Sequence, residues 1–132
     1  MRRAQVIVRQ AEAATSSPML LRTPMALMAS SITTSMARSD VYENLAPKTK
    51  LQRTWGDCYG YVLVATGRAE VMLDSAIKPW DIVPMLPILQ EAGGQFTDWR
   101  GEPTVWGKDA LATNGQLHEP VLQVLKAEKA RQ

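Results

Sequence analysis

The segment from Lys78 to Gly94 constrains the fold of this chain more than any other part of it. After Trp80 and Asp81 comes an almost uninterrupted apolar run, and the segment ends in two glycines. The apolar residues are Ile82, Val83, Met85, Leu86, Ile88 and Leu89. A helix with so little polar surface is buried on most sides, and a glycine with positive φ commonly closes a helix. We therefore predict a buried helix that has Asp81 as its N-cap, bends at Pro87 and is closed by a residue of the pair Gly93-Gly94.

Strand-like and helix-like patterns alternate over residues 29–132, which predicts an α/β layer fold. The predicted strands are Ala29–Ser35, Leu51–Trp55, Ala69–Asp74, Gln95–Asp98, Thr104–Trp106 and Asp109–Thr113. The further predicted helices are Val41–Leu45, Cys58–Thr66 and Leu117–Ala130. The strands Gln95–Asp98 and Thr104–Trp106 form a predicted hairpin, with Gly101 near the turn position that needs an unusual φ.

Residues 1–28 lack a clear period of 2 or 3.6, and we separate them from 29–132 as a poorly patterned N-terminal segment. We expect this segment to be disordered or to be the remnant of a truncated upstream part. Its composition is rich in arginine and serine and poor in acids, which is also typical of an organellar transit peptide, and that alternative stays open. The predicted α/β subdomain is 29–132.

The uneven distribution of charge excludes one class of partner. Residues 1–39 hold five arginines and one acid, a net charge of +4, whereas residues 40–132 hold ten bases and twelve acids, a net charge of −2. A weakly acidic domain without a basic stripe argues against nucleic acid as the main partner.

No apolar run is long enough to cross a bilayer, so we expect no membrane partner. The single cysteine, Cys58, excludes an internal disulfide and suits a reducing cytoplasm.

Three carboxylates, those of Asp57, Asp74 and Asp81, lie at predicted loop or helix-entry positions. Such carboxylates suit Mg²⁺, a hard cation that prefers oxygen ligands. Phosphatases use ions of this kind to polarise phosphoryl oxygens and to lower the pKa of a water molecule. The same residues are also explained as unrelated helix caps and turn residues, and their spacing alone does not decide between the two interpretations.

Several longer strings carry a resemblance to a family. Trp80-Asp81, the apolar helix and the Glu-Ala-Gly-Gly that ends at Gly94 resemble the second signature of the inositol monophosphatase family, which consists of metal-dependent, lithium-sensitive phosphatases. Gly56-Asp-Cys-Tyr59 is similar to the loop of its histidinol-phosphatase branch, whereas inositol-specific members tend to carry Gly-Ser/Ala-Ala there. Four further strings resemble the same branch: Ala65–Asp74, Pro87–Gly94, Thr97–Gly101 and Ala112–Gly115.

The resemblance implies the C-terminal half of the layered α/β/α/β/α sugar-phosphatase fold and Mg²⁺-dependent hydrolysis of a phosphate monoester. It also implies that Asp81 ligates the metal, that Asp74 binds substrate hydroxyl groups, and that Gly56 and Asp57 face the substrate. The branch similarity implies L-histidinol phosphate, an intermediate of histidine biosynthesis, whose amino group would pair with Asp57. An inositol phosphate or a related small phosphomonoester is the first alternative.

Two departures from the family pattern bear on activity. Val83-Pro84 stands where the family often has small residues after its Trp-Asp. The chain also lacks the Gly-Asp-x-x-x-Glu and Asp-Pro-Ile/Leu-Asp-Gly-Thr segments, which in the family hold most of the metal and phosphate ligands. No catalytic residue is therefore assigned, and a catalytically silent or partner-binding fragment is the second alternative. We expect exposed apolar surface and an association, either as a homodimer or with a missing N-terminal half.

Two other reactive side chains are predicted to have no role in the chemistry. Cys58 has no histidine partner that the sequence identifies, and we predict a small buried thiol. His118 is the one histidine of the chain and opens the last predicted helix. We predict that His118 lies on the surface.

Overall fold

The secondary structure comes from a computed structural model that describes residues 26–29, 39–54 and 58–129. The strands are β1 (Ala26–Ala29), β2 (Leu51–Thr54), β3 (Val71–Asp74), β4 (Gln95–Thr97) and β5 (Ala110–Thr113). The helices are α1 (Ser39–Leu45), α2 (Tyr59–Ala65), α3 (Pro79–Ile82), α4 (Met85–Glu91) and α5 (His118–Lys129), and a 3-10 turn at Ala46–Lys48 follows α1. None of these described helices has the length and apolar character needed to span a bilayer.

The five strands form one mixed sheet in the order β2-β1-β3-β5-β4. Strand β1 pairs in parallel with β2 and β3, and β5 pairs in the antiparallel sense with β3 and β4. Ala29 lies opposite Thr54 on one side and opposite Leu73 on the other. The carboxyl ends of β1, β2 and β3 therefore meet at one edge of the sheet.

Side chains of the central strand β3 alternate between two hydrophobic clusters, because successive residues of a strand point to opposite faces. Val71 and Leu73 belong to the first cluster, and Met72 belongs to the second. The first cluster also contains Leu45 of α1 and, at or along α5, Leu117, Val121, Leu122 and Leu125. The second cluster contains, from α2, α3 and α4, Tyr61, Val64, Ile82, Met85 and Leu89. The sheet thus lies between two helical layers, which confirms the predicted α/β layer fold.

The helix after β3 begins earlier than predicted. Lys78 is the N-cap of α3, and Pro79 occupies the first helical position. Proline is favoured at this position because its missing N–H would be unsatisfied there in any case. Asp81 therefore lies inside the first turn, and the prediction that Asp81 caps the helix is wrong.

The segment after Asp81 forms two short helices, α3 and α4, because the chain breaks at Val83–Pro84. Pro84 has no N–H to donate to the carbonyl of residue 80, so the α-helical pattern of hydrogen bonds cannot continue. Pro87 falls instead in the first turn of α4, where a missing N–H costs little, and the predicted bend at Pro87 is wrong. Gly93, with a φ of 78°, ends α4 as predicted.

The two short helices bury one face and expose another. Ile82, Met85 and Leu89 are buried in the second cluster, whereas Val83 and Ile88 are 47% and 50% exposed. The prediction of burial on most sides is therefore wrong. Exposed apolar side chains are thus present on these helices, and the association that was predicted for this chain stays a prediction.

The hairpin after α4 is longer than predicted, because β4 pairs with β5 and residues 104–106 form no strand. Asp98 Oδ1 accepts two backbone N–H groups of the connecting loop, at 2.9 and 2.8 Å. The indole N–H of Trp99 donates to the carbonyl oxygen of Ala110 at 2.9 Å, which anchors the loop to β5. Gly101 adopts a φ of 97°, as predicted for the turn.

The other predicted elements lie within a few residues of those observed. The strand predicted at Ala29–Ser35 overlaps β1 at Ala29, and residues 30–38 lie outside the described part of the chain. The division of the chain at residue 28 stays a prediction.

Candidate functional site

Asp74 ends β3 at the edge where the three parallel strands have their carboxyl ends. Because it follows Leu73, strand alternation places it on the same face as Met72, under the layer of α2, α3 and α4. Asp74 is 7% exposed, and its Oδ1 accepts the backbone N–H of Ala76 at 3.2 Å. A nearly buried carboxylate thus lies where β3 gives way to the following loop.

Asp81 reaches the same region through α3. The thiol of Cys58 donates to the carbonyl oxygen of Asp81 at 3.2 Å, which joins the start of α2 to α3. Cys58 is half-buried, in partial agreement with the predicted buried thiol, and the Asp81 side chain is also half-exposed. The carboxylate of Asp81 is therefore open to solvent in a way that Asp74 is not.

Gly60 allows α2 to lie close to β3. A Cβ at this position would overlap the sulfur of Met72 and would stand 2.9 Å from Met72 Cε. Met72 is fully buried, so its thioether has little room to move aside. The absence of a side chain at Gly60 therefore brings the next residue, Tyr61, towards the end of β3.

Tyr61 is the one buried side chain, among the residues that the structure describes, whose polar atom has no hydrogen-bond partner. The residue is 1% exposed. Burial raises the pKa of its phenol well above the ordinary value, and the neighbouring Asp74, Cys58 and Asp81 raise this pKa further, in that order. The structure thus brings the two predicted site residues Asp74 and Asp81 into electrostatic range of one neutral phenol.

Sequence reasoning did not identify Tyr61 as part of this group. The available signal was a hydroxyl-bearing aromatic residue inside an otherwise apolar helical run, directly after Gly60. From the sequence alone, such a residue is assigned to the hydrophobic core, because the strand against which it packs is not known.

Gly56 and Asp57 lie outside the described residues, so their predicted roles stay predictions. The preceding strand β2 ends at Thr54, at the same sheet edge as Asp74. The helix that follows them, α2, carries Tyr61.

The described residues do not form a complete metal centre. Within ranges 26–29, 39–54 and 58–129, no three His, Cys, Asp or Glu side chains form a group able to hold a metal ion. Mg²⁺ prefers an octahedral set of oxygen ligands, several of them water. Asp81 has the chemistry of one such ligand, and the remaining protein ligands are not found in this part of the chain.

His118 is buried, so the prediction that it lies on the surface is wrong. Its Nε2 is 2.9 Å from Thr97 Oγ1, and its Nδ1 is 3.0 Å from Thr113 Oγ1. Thr97 donates its own hydroxyl hydrogen to the carbonyl of Asp98 at 2.7 Å, so it accepts from Nε2–H. Nδ1 then accepts the hydroxyl hydrogen of Thr113, which defines a neutral ring with its hydrogen on Nε2.

A cavity of about 610 Å³ lies beside His118, between α4, β4, the β4–β5 loop and α5. Its lining contains neither Asp74 nor Asp81 nor Tyr61. The cavity is therefore separate from the group of acids at the end of β3.

The fold is that of an inositol monophosphatase. A superposition on the crystal structure of inositol monophosphatase II from Staphylococcus aureus gives a TM-score of 0.72 at 26% sequence identity, and it covers 84% of this chain and 44% of that one. The described sheet and its two helical layers therefore correspond to less than half of a layered phosphatase fold.

Sequence comparison agrees with the fold. The family model described as the inositol monophosphatase family matches residues 7–130, and the chain belongs to this family. The chain is 48% identical over 63 residues to a histidinol-phosphatase from Chlorobaculum parvum, a match that covers 48% of this chain and 24% of that protein. It is 37% identical over 75 residues to a histidinol-phosphatase from Mycobacterium tuberculosis, covering 57% and 29%. The chain thus spans less than a third of the length of these curated relatives.

Proposed function

We propose that the protein takes part in the Mg²⁺-dependent hydrolysis of a small phosphate monoester, and that this substrate is L-histidinol phosphate. One observation carries the proposal: Asp74 and Asp81, the two described acids that the family pattern singles out, both raise the pKa of the buried phenol of Tyr61, and Asp74 ends β3 at the carboxyl edge of the parallel strands. Membership of the inositol monophosphatase family supports the reaction class. The names of the two relatives support the substrate.

Each acid has a different task in this proposal. Asp74 is nearly buried at the strand end, so its carboxylate is held in one place and suits the orientation of a substrate hydroxyl group. Asp81 is more exposed and suits a metal ligand that keeps water in its coordination sphere. When bound, Mg²⁺ polarises phosphoryl oxygens and lowers the pKa of a bound water. The further metal ligands come from outside the described residues.

Gly56 and Asp57 are the proposed determinants of the substrate's alcohol part. The amino group of L-histidinol phosphate is positively charged near neutral pH, and a carboxylate at Asp57 would bind it by a charge-assisted hydrogen bond. An inositol phosphate carries no such group.

Cytoplasmic location is part of the proposal, because the single thiol Cys58 is free among the described residues and suits a reducing compartment.

An inositol phosphate is the second candidate substrate, because the structural relative from Staphylococcus aureus is an inositol monophosphatase. The variants Asp57→Ala and Asp57→Asn separate the two candidates when phosphate release is measured with both substrates. We expect kcat/KM for L-histidinol phosphate to fall by roughly tenfold or more in both variants, since both remove a charged partner. We expect kcat/KM for inositol 1-phosphate to change by less than about threefold. Equal losses for the two substrates would contradict the role of Asp57.

A further inference from the structure

The proposed roles of Asp74 and Asp81 do not explain why the hydroxyl of Tyr61 is buried without a hydrogen-bond partner. A buried polar atom without a partner is costly, and native proteins rarely keep one without a reason. Tyr61 is 1% exposed, and its hydroxyl has no partner in the ligand-free structure. At the same time, Gly60 keeps the helix that carries it pressed against β3.

Of the two acids that raise the pKa of this phenol, Asp74 has the larger effect. Asp74 lies on the same face of β3 as Met72, the residue that packs against Gly60. It is 7% exposed, so water replaces a missing hydrogen bond at Asp74 less readily than at the half-exposed Asp81.

We propose that Tyr61 is a positioning residue: its O–H donates to the carboxylate of Asp74 when Asp74 holds the alcohol part of a substrate. The hydroxyl is buried in the ligand-free structure, so the effect that we assign to it passes through Asp74 and not through contact with the ligand. Hydrogen bonds in ligand-free sites are often long and tighten only when the ligand is bound. Burial also keeps the phenol protonated, so it remains a donor throughout the neutral pH range.

The inference rests on the proposed function, because it needs Asp74 to bind a substrate alcohol. A double-mutant cycle on the 132-residue chain tests it with Tyr61→Phe, Asp74→Asn and the double variant. The probes are L-histidinol and inositol, the alcohols of the two candidate substrates, and their binding is measured by calorimetry with Mg²⁺ present. Tyr42→Phe is the matched control, since Tyr42 packs against the other hydrophobic cluster.

We expect Tyr61→Phe to weaken binding of at least one alcohol by about three- to tenfold, which corresponds to one hydrogen bond. In the Asp74→Asn background the same substitution should have less than about a twofold effect, and Tyr42→Phe should have none. The unfolding midpoint of the ligand-free chain should stay the same or rise in Tyr61→Phe, because an unpartnered buried hydroxyl is removed.

Three results would overturn the inference. The first is an unfolding midpoint that falls in Tyr61→Phe while alcohol binding is unchanged, which indicates a purely structural hydroxyl. The second is an equal loss of binding with Asp74 present and with Asp74→Asn. The third is a wild-type chain that binds neither alcohol, because Asp74 then holds nothing for Tyr61 to position. Phosphate release is measured separately: an intact binding cycle without any hydrolysis would contradict the proposed function and leave the role of Tyr61 standing.

Discussion

Replacement of His118 is the sharpest stability test that the structure offers. The imidazole connects three elements, because Thr97 ends β4, Thr113 ends β5 and His118 itself begins α5. The variant His118→Ala removes both ring hydrogen bonds. It leaves Thr97 bonded to the carbonyl of Asp98, and it leaves Thr113 as acceptor of the Gly115 N–H at 3.1 Å.

The expected loss follows from these contacts. A neutral hydrogen bond contributes about 1 kcal/mol net, so two bonds correspond to about 2 kcal/mol. Loss of the packed ring adds roughly 1 kcal/mol. The neighbouring cavity admits water to the freed hydroxyls, which keeps the cost from rising further. We expect the free energy of unfolding to fall by about 2–3 kcal/mol in His118→Ala, a large share of a typical total of about 5–15 kcal/mol.

The same site predicts a pH dependence with a definite sign. Burial lowers the pKa of His118 below its ordinary value, and Glu119 opposes this only in part. Above a pH of about 6.5 the ring is neutral in both states and its contribution is fully present. Below that pH the unfolded chain takes up a proton that the folded chain resists, so the contribution is lost as pH falls towards the folded pKa. The slope reaches at most about 1.4 kcal/mol per pH unit.

Urea denaturation at pH 7.5 and pH 5.5 measures both effects. The variant His118→Gln, which does not titrate, serves as the control for all other ionisable groups. We expect the wild type to lose more unfolding free energy than His118→Gln over this pH interval. Equal losses, or a His118→Ala chain as stable as the wild type at pH 7.5, would refute the hydrogen-bond assignment.

Two further substitutions test the packing. Leu89→Ala should lower the free energy of unfolding by about 2–5 kcal/mol because Leu89 is fully buried. Ile88→Ala should change it by less than about 1 kcal/mol because Ile88 is 50% exposed. Similar losses for the two variants in denaturant titration would contradict the orientation of α4. Gly115→Ala should cost at least about 1–3 kcal/mol, since Gly115 has a φ of 89° and an added Cβ would stand 2.7 Å from the carbonyl oxygen of Gly93. An unchanged thermal midpoint in Gly115→Ala would rule out that turn geometry.

The sequence predicted those elements that have a short apolar run or a clear apolar helical face. The short apolar run Val71–Leu73 and the apolar face along Val121 and Leu125 each identify one element without knowledge of its neighbours. The break at Pro84 was missed for a different reason. A proline is tolerated in the first turn of a helix, so the effect of Pro84 depends on where the helix begins. The helix begins at Pro79, earlier than predicted, and Pro84 therefore interrupts it.

The candidate site was predictable only in part, because its contacts join distant segments. Asp74 and Asp81 follow from the family pattern, but the proximity of Tyr61 to Asp74 depends on how α2 packs on β3 at Gly60. His118 looked exposed because its threonine partners come from two other strands. Tertiary contacts of this kind leave no periodic signal in the sequence.

The most direct test of the proposed phosphatase site is Mg²⁺-dependent phosphate release from L-histidinol phosphate by the 132-residue chain and by its Asp81→Asn variant. The assay is run with each chain alone and with each chain mixed with a polypeptide that carries the family's glutamate and Asp-Pro-x-Asp-Gly-Thr segments. We expect release that requires Mg²⁺ and is abolished in Asp81→Asn. No release under either condition, or release that survives Asp81→Asn unchanged, would contradict the claim that this group of acids belongs to a phosphatase active site.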